Sequence, residues 1–402
     1  MASNRPSTLL LRVDGFGWQD CLATGPGSAI LGSLLFSALF PAPMSVKFLL
    51  RVAGTLLLAW AAAAACVALH TPLPWMLGPL VATSVLSMAG APTESWGPLR
   101  NGGQWAIGAA LGLYFTPEVS ALVGSLWWAI VLGIGWALLL GWGFGAWLYR
   151  LHAPRMHGVP ASMLRSTSYF AGAIGAASEM TLLSERENAR TDLVAASHSL
   201  RLLIVTITIP FALQWSGLQG LDILTPTVRD VSWPGLALLA LLTGAGALVM
   251  DRLGRANPWF MGAMLVSMAV TMAGLHLSAV PQAVVNAAQL VIGVSLGVRF
   301  RAEFLHTAPR WLASVAVGTF GLMGICAAFA AVLAWATGLP WVTLLLGTSP
   351  GGITEMAITA KVLQLGVPVV TAFQVCRLIA VLMLVGPMFR RIYPPTEGGS
   401  AI

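Results

Sequence analysis

The stretch TSPGGITEM, residues 348–356, decides how this chain is organised, because it interrupts an apolar region with residues that break helices. It lies between WVTLLLG, residues 341–347, and AITAKVL, residues 357–363, both apolar enough to lie in lipid. Two glycines and a proline end the preceding helix, and Glu355 follows at once. Non-helical backbone persists at membrane depth only where protein buries it or where it faces a water-filled cavity. The stretch therefore predicts a polar break inside a membrane-embedded site.

The composition of the 402-residue chain is typical of a membrane protein. Hydrophobic residues make up 57% of the chain and charged residues only 9%, against about 25% charged residues in soluble domains. Apolar runs of about 17–25 residues recur, and that length crosses a hydrocarbon core of about 30 Å. The net charge of +7 agrees with the lysines and arginines that membrane proteins place in cytoplasmic loops. The charge therefore requires neither a nucleic acid nor an acidic partner.

Segments that recur in the same order predict an internal duplication. The matching pairs are PWMLGPLVATSVLSMAG (74–90) with PWFMGAMLVSMAVTMAG (258–274), QWAIGAALGLYF (104–115) with QLVIGVSLGVRF (289–300), and GAASEM (175–180) with PGGITEM (350–356). In both copies an arginine stands 22 residues after the glutamate, at Arg201 and Arg377. The predicted repeats are residues 45–216 and 230–392, preceded by an extension of uncertain role at residues 1–44 and followed by a short tail at residues 393–402.

Each predicted repeat contains six apolar elements. They lie near residues 48–69, 74–90, 102–115, 121–148, 166–183 and 194–214, and again near 233–250, 258–275, 285–298, 311–337, 340–364 and 370–389. If the fifth element of each repeat enters the membrane and returns, nearly all lysines and arginines fall inside, as the positive-inside rule requires. The sequence thus predicts an all-α polytopic membrane protein with about ten transmembrane helices and two re-entrant or broken hairpins. Five crossings per repeat is an odd number, so the repeats are predicted to be inverted, as in secondary transporters.

The 22-residue spacing predicts that each glutamate meets its arginine at the depth of the break. A fold at LQLGVP, residues 363–368, places Glu355 and Arg377 each about 16 Å from the turn, which is about half the hydrocarbon thickness. The same fold pairs Glu179 with Arg201 in the first repeat. Charges within the membrane are functional candidates by default, because they are expensive to keep there. A salt bridge that locks each hairpin is the structural alternative, and both roles are compatible if a solute competes for the arginine.

Polar and flexible residues around these charges complete the candidate binding site. The further candidates are Thr348, Ser349, Gly351, Gly352, Thr354, Gln374 and His198. A half-helix that begins at Thr354 would direct its positive N-terminus into the break, which suits an anion. His198 occupies the position of Gln374 in the other copy and is either a proton-sensitive group or a hydrogen-bonded interior histidine.

The repeated PW..G, Q...G...G and GG..EM...R blocks resemble those of the membrane AbrB duplication family. The resemblance covers roughly residues 48–390, and SPGGITEM together with FQVCRL, residues 373–378, is its most specific part. The first copy departs from the family pattern, with SYFAGAIGAASEM at residues 168–180 where a glycine pair is favoured before the glutamate. The resemblance implies a multi-pass protein of the bacterial inner membrane, with a role in regulating gene expression. Some family members carry an ammonia monooxygenase label instead.

The motif content argues against catalysis. The six histidines form no HxH, HxxxH or HExxH pattern. GxSxG occurs as GVSLG (293–297) and GTSPG (347–351), both within apolar stretches and without the strand–turn–helix setting of a hydrolase nucleophile. We therefore expect no enzyme activity, no cofactor and no metal. No DNA-binding module is recognisable, so any effect on gene expression would be indirect and without nucleic-acid contact.

The leading functional prediction is a secondary transporter or exporter that moves a small anionic solute by alternating access. Its expected partners are the lipid bilayer, the solute and a coupling proton or sodium ion, and association into a homo-oligomer stays open. The alternative is a membrane sensor or regulator of gene expression on a transporter-like scaffold, without transport.

Overall fold

The structure is a computed structural model, and it describes residues 45–154, 156, 158–216, 230–300 and 308–394. The chain divides into two compact units, residues 1–50 and 51–402, and only residues 45–50 of the first unit are described. The predicted extension at residues 1–44 and the tail from residue 395 lie outside the described residues.

Every regular element in these ranges is an α-helix, which confirms the all-α prediction. In chain order the helices are α1 (Val46–Ala68), α2 (Pro74–Met88), α3 (Gly97–Gly112), α4 (Pro117–Ser125), α5 (Trp127–His152), α6 (Ala161–Gly172), α7 (Ala177–Arg186), α8 (Thr191–Ser216), α9 (Trp233–Arg252), α10 (Pro258–Met272), α11 (Gln282–Gly297), α12 (Pro309–Thr337), α13 (Trp341–Thr348), α14 (Ile353–Val362) and α15 (Val367–Ile392). Six of them (α1, α5, α8, α9, α12 and α15) are long and apolar enough to cross a membrane. The chain is therefore a multi-pass α-helical membrane protein.

The shorter helices α2, α3, α10 and α11 pack closely on one another through glycine. Gly108 and Gly112 of α3 lie against the backbone of α10, and Gly293 and Gly297 of α11 lie against the backbone of α2. A Cβ atom at any of these four positions would overlap a backbone carbonyl oxygen of the neighbouring helix. Such close approach of small residues is how helices associate inside a membrane. The contacts also show that α3 runs parallel to α10, and α11 parallel to α2.

Helices α5 and α12 run antiparallel along their length. His152, at the end of α5, forms a hydrogen bond of 3.1 Å with Ser314 near the start of α12. Further along, Trp136 of α5 stacks on Phe329 of α12 with ring centroids 4.6 Å apart. The end of α5 therefore lies beside the beginning of α12.

Two helical hairpins enter the bundle without a continuous helix. The first hairpin is α6–α7, broken at residues 173–176, and the second hairpin is α13–α14, broken at residues 349–352. The backbone N–H of Arg190, in the turn after α7, donates to Thr167 Oγ1 of α6 at 2.9 Å. The first hairpin therefore leaves at the same end at which it enters, beside the end of α5.

The second hairpin also returns to its point of entry. Gln374 of α15 contacts the Leu346 carbonyl, and Arg377, one turn further from the start of α15, contacts the Ser349 carbonyl. Helix α13 therefore runs parallel to α15 and enters from the end where α15 begins. Because α5 and α12 are antiparallel, the two hairpins open at opposite ends of the bundle.

Candidate functional site

Arg377 of α15 holds the broken backbone of the second hairpin together. Its Nη1 donates to the Ser349 carbonyl, and its Nη2 donates to the Gly351 carbonyl at 2.9 Å and to Gln374 Oε1 at 2.6 Å. The break leaves these carbonyls without helical partners. The guanidinium therefore replaces the missing backbone donors, and its charge remains uncompensated because carbonyl groups are neutral.

Gln374 fixes the orientation of this arginine. Its Nε2 donates to the Leu346 carbonyl at 2.7 Å while its Oε1 accepts from Arg377. Arg377 is only 5% exposed, and its Nε has no hydrogen-bond partner. Unsatisfied buried donors are rare and call for an explanation, so this atom is one sign that the site binds an acceptor.

Arg201 of α8 binds the first break in the same manner. Its Nη1 donates to the carbonyls of Ala171 and Gly172 at 3.3 Å each, and its Nη2 donates to the Ala173 carbonyl at 2.7 Å. Both hairpins are thus closed by an arginine that stands 22 residues after the glutamate of the hairpin.

In the first hairpin, His198 makes the contacts that Gln374 makes in the second, one with a backbone carbonyl and one with the arginine. Its Nε2 lies 2.9 Å from the Phe170 carbonyl, and its Nδ1 lies 2.8 Å from Nη2 of Arg201. A carbonyl only accepts and a guanidinium only donates, so these contacts require a neutral ring that carries its proton on Nε2. His198 is therefore a hydrogen-bonded interior histidine in this structure.

The expected ion pairs of Glu179 with Arg201 and of Glu355 with Arg377 are not formed. Where the structure describes the chain, both arginines bind backbone carbonyls and neither forms an ion pair with a carboxylate. The physical reason is that each break frees carbonyls at the depth of the arginine. Glu355 instead stays at the first turn of α14, where the helix dipole favours a carboxylate.

The glycine pair explains why the two glutamates differ. A side chain on Gly352 would overlap the carboxylate of Glu355, which folds back against this glycine. In the first hairpin, Ala176 stands three residues before Glu179, as Gly352 stands three residues before Glu355, and an alanine already carries a Cβ atom. Glu355 is only 6% exposed, whereas Glu179 is half-buried and outside the cavity described next.

A cavity of ≈ 270 Å³ lies between the two breaks. The sequence-predicted residues that line it are His198, Arg201, Gly351, Gly352, Thr354, Glu355 and Arg377. Thr348, Ser349 and Gln374 lie behind the wall, where each side chain bonds a carbonyl of α13. The structure thus brings most of the predicted site together and gives these three a supporting position.

Two lining arginines were not among the predicted site residues. Arg100 lies on the first turn of α3, and Arg299 follows α11. The positive charges of the two act on each other, and Arg299 also attracts Glu355. One signal in the sequence is that Arg100 precedes Gln104 by four residues, which places both on one helix face. Both arginines also line an adjoining cavity of ≈ 330 Å³, so they stand at the mouth of the cavity between the breaks.

The cavity wall is strongly electropositive. Among the lining residues that the structure describes, four guanidinium groups (Arg100, Arg201, Arg299 and Arg377) face one carboxylate, Glu355. The described residues contain no group of three His, Cys, Asp or Glu side chains that could hold a metal ion. The arrangement can bind an anion.

Fold and site together define a multi-pass membrane protein with an electropositive cavity between two broken hairpins. The family described as "Transition state regulatory protein AbrB" matches residues 75–393, and the chain belongs to this family. This confirms the family that the repeated motifs indicated.

Curated relatives cover most of the chain. A protein of Bacillus subtilis (strain 168) named "Uncharacterized protein YhjN" is 24% identical over 346 residues, which are 79% of this chain and 87% of the relative. A protein of Escherichia coli (strain K12) named "Putative regulator AbrB" is 26% identical over 329 residues, 81% of this chain and 91% of the relative. No solved structure matches the chain.

Proposed function

We propose that this protein is a secondary transporter of a small anionic solute in the bacterial inner membrane. The observation that carries the proposal is the cavity between the hairpin breaks, with four guanidinium groups and one carboxylate in its wall. Uncompensated charge inside a membrane protein is unfavourable. An anion that enters the cavity supplies the missing negative charge, and it is therefore the ligand that this wall favours.

The helix arrangement supports two inverted repeats, residues 45–216 and 230–392, with ten crossings and two re-entrant hairpins. Helices α5 and α12 hold equivalent places in the two repeats and run antiparallel. Helix α3 of the first repeat packs on α10 of the second, and α11 of the second repeat packs on α2 of the first. Equivalent helices therefore make equivalent contacts across the two repeats. Inverted repeats with broken helices at a central site are a common design of secondary transporters.

Alternating access follows from this arrangement. Each hairpin separates the cavity from one side of the membrane, and its arginine holds the break in shape. Glu355 lines the same cavity and competes with the anion for positive charge, so we assign the coupling proton or sodium ion to it. The proposal includes no catalytic step and no cofactor, and any effect on gene expression would act through the solute.

The test measures binding first and flux second. Purified protein is heated with acetate, phosphate, sulfate or succinate at constant ionic strength, and anions that raise the melting temperature are then loaded into proteoliposomes for counterflow. We expect stabilisation by at least one anion and anion-specific counterflow. Binding without flux would favour the sensor without transport. A folded protein that no anion stabilises would refute the anion site.

A further inference from the structure

The four cavity arginines form two pairs in different settings. The tip pair, Arg201 and Arg377, is 3% and 5% exposed and is fixed to the hairpin breaks. The mouth pair is half-buried Arg100 and exposed Arg299. Each pair consists of like charges that act on each other. The cavity thus has one centre of positive charge at the hairpin tips and another at its mouth.

The protein neutralises these charges only in part, because one carboxylate faces the four arginines in the cavity wall, while Glu94 and Asp192 line adjoining cavities with Arg299. Glu355 supplies the only carboxylate among the described lining residues, and it attracts Arg299. Each pair also retains a buried donor without a hydrogen-bond partner, Nε of Arg377 at the tips and Nε of Arg100 at the mouth. An anion with a single charge could compensate only one of the two centres.

Apolar side chains make up part of the cavity wall, beside polar ones such as Gln104 and Ser295. Leu202, Ile292, Leu296 and Leu378 line the same cavity as the arginines. A compact anion such as phosphate would occupy one charged centre and leave these side chains against water. A short hydrocarbon chain would lie against them and bury apolar surface.

We propose that the cavity binds a small dicarboxylate, with one carboxylate at the tip pair and the other at the mouth pair. The proposal rests on the anion site of the proposed function and names the class of its solute. The mouth pair has no counterpart in the other repeat, because Val285 and Tyr114 stand at the equivalent positions. The dicarboxylate is therefore bound in one orientation along the cavity, with its outer group at α3 and α11.

The experiment compares ligands that differ by one charge at nearly constant size. Malonate, succinate and glutarate are each titrated beside their monoamides, with phosphate as the compact anion, into protein in nanodiscs at constant ionic strength. The protein variants are wild type, Arg299→Gln and Arg100→Gln. Arg252→Gln is the matched control, because Arg252 is exposed at the end of α9 and does not line the cavity.

We expect wild type and Arg252→Gln to bind one dicarboxylate at least about tenfold more tightly than its monoamide, the effect of one charged hydrogen-bonding contact. Arg299→Gln or Arg100→Gln should reduce this preference severalfold, because the dicarboxylate loses a direct contact and should be weakened more than the monoamide. If one mouth variant does not fold, the other decides.

Three results would overturn the proposal. Equal affinity for dicarboxylate and monoamide would mean that one anionic group suffices, and phosphate binding as tight as the best dicarboxylate would mean a compact ligand. Equal losses for both ligands in the mouth variants would mean that these arginines act only through long-range attraction. All three leave the anion site of the proposed function intact, whereas the absence of any anion binding by folded protein would remove both.

Discussion

Each hairpin break is held by a latch, which is Arg201 with His198 in the first hairpin and Arg377 with Gln374 in the second. Replacement of His198 tests whether imidazole and amide are interchangeable in this latch. His198 donates to the Phe170 carbonyl and accepts from Arg201, and Gln374 makes the same two kinds of contact in the second hairpin. A neutral hydrogen bond contributes about 1 kcal/mol and one to a charged group about 1.5–3 kcal/mol, so His198→Ala should lower the free energy of unfolding by about 2.5–4 kcal/mol. His198→Gln restores both contacts and should stay within about 1 kcal/mol of wild type.

The assay is thermal unfolding in detergent, followed through the fluorescence of the 16 tryptophans. His276→Ala is the control, because this histidine is exposed near the end of α10. The expected order of melting temperatures is wild type, His276→Ala and His198→Gln close together, with His198→Ala several degrees lower.

Two results would refute this reasoning. If His198→Gln loses as much stability as His198→Ala, the imidazole makes a contact that an amide cannot supply, and the two latches are not equivalent. If neither variant loses stability, the hydrogen bonds at the first break contribute nothing measurable.

Further predictions concern packing, hairpin direction and the second latch. Gly108→Ala should destabilise the protein by about 1–3 kcal/mol through overlap with α10, whereas Gly124→Ala, with nothing nearby, should be neutral in the same thermal assay. Arg186→Cys and Val362→Cys, each in a cysteine-free background, should react with an impermeant thiol reagent from opposite sides of the membrane, and labelling from one side contradicts opposite hairpin openings. Arg377→Met leaves buried acceptors unpaired and should cost about 1–3 kcal/mol for each acceptor that stays buried. A drop in melting temperature no larger than that of Gly124→Ala would show that the latch is dispensable.

The hairpins could be predicted from the sequence because their determinants are local. The fifth elements were placed near residues 166–183 and 340–364, and the structure has helix–break–helix hairpins at 161–186 and 341–362. A proline followed directly by two glycines breaks a helix locally, whereas the single prolines Pro79, Pro210 and Pro387 stay inside helices. The second break is therefore marked by this cluster in the sequence. Two inverted repeats remain a prediction that the helix contacts support.

The partners of the arginines could not be predicted in the same way. Backbone carbonyls are present at every residue, so no letter of the sequence marks those of Ser349 or Ala173 as acceptors. Opposite charge was the available criterion, and it paired each arginine with a glutamate. Arg100 and Arg299 were missed for a related reason, because only the packing of α3 and α11 brings residues so far apart in the chain together.

The opposite openings of the two hairpins have a consequence for the electric field. In the proposed alternating-access mechanism, water would reach each hairpin from its own side and leave only the layer around the breaks as an insulator. The membrane potential then falls mainly across this thin layer instead of the whole hydrocarbon core of about 30 Å. Moving one charge through the full potential changes its energy by about 2.3 kcal/mol per 100 mV. A charged group in the cavity would therefore feel nearly all of that energy over a displacement of a few ångströms, and its movement would be steeply sensitive to voltage.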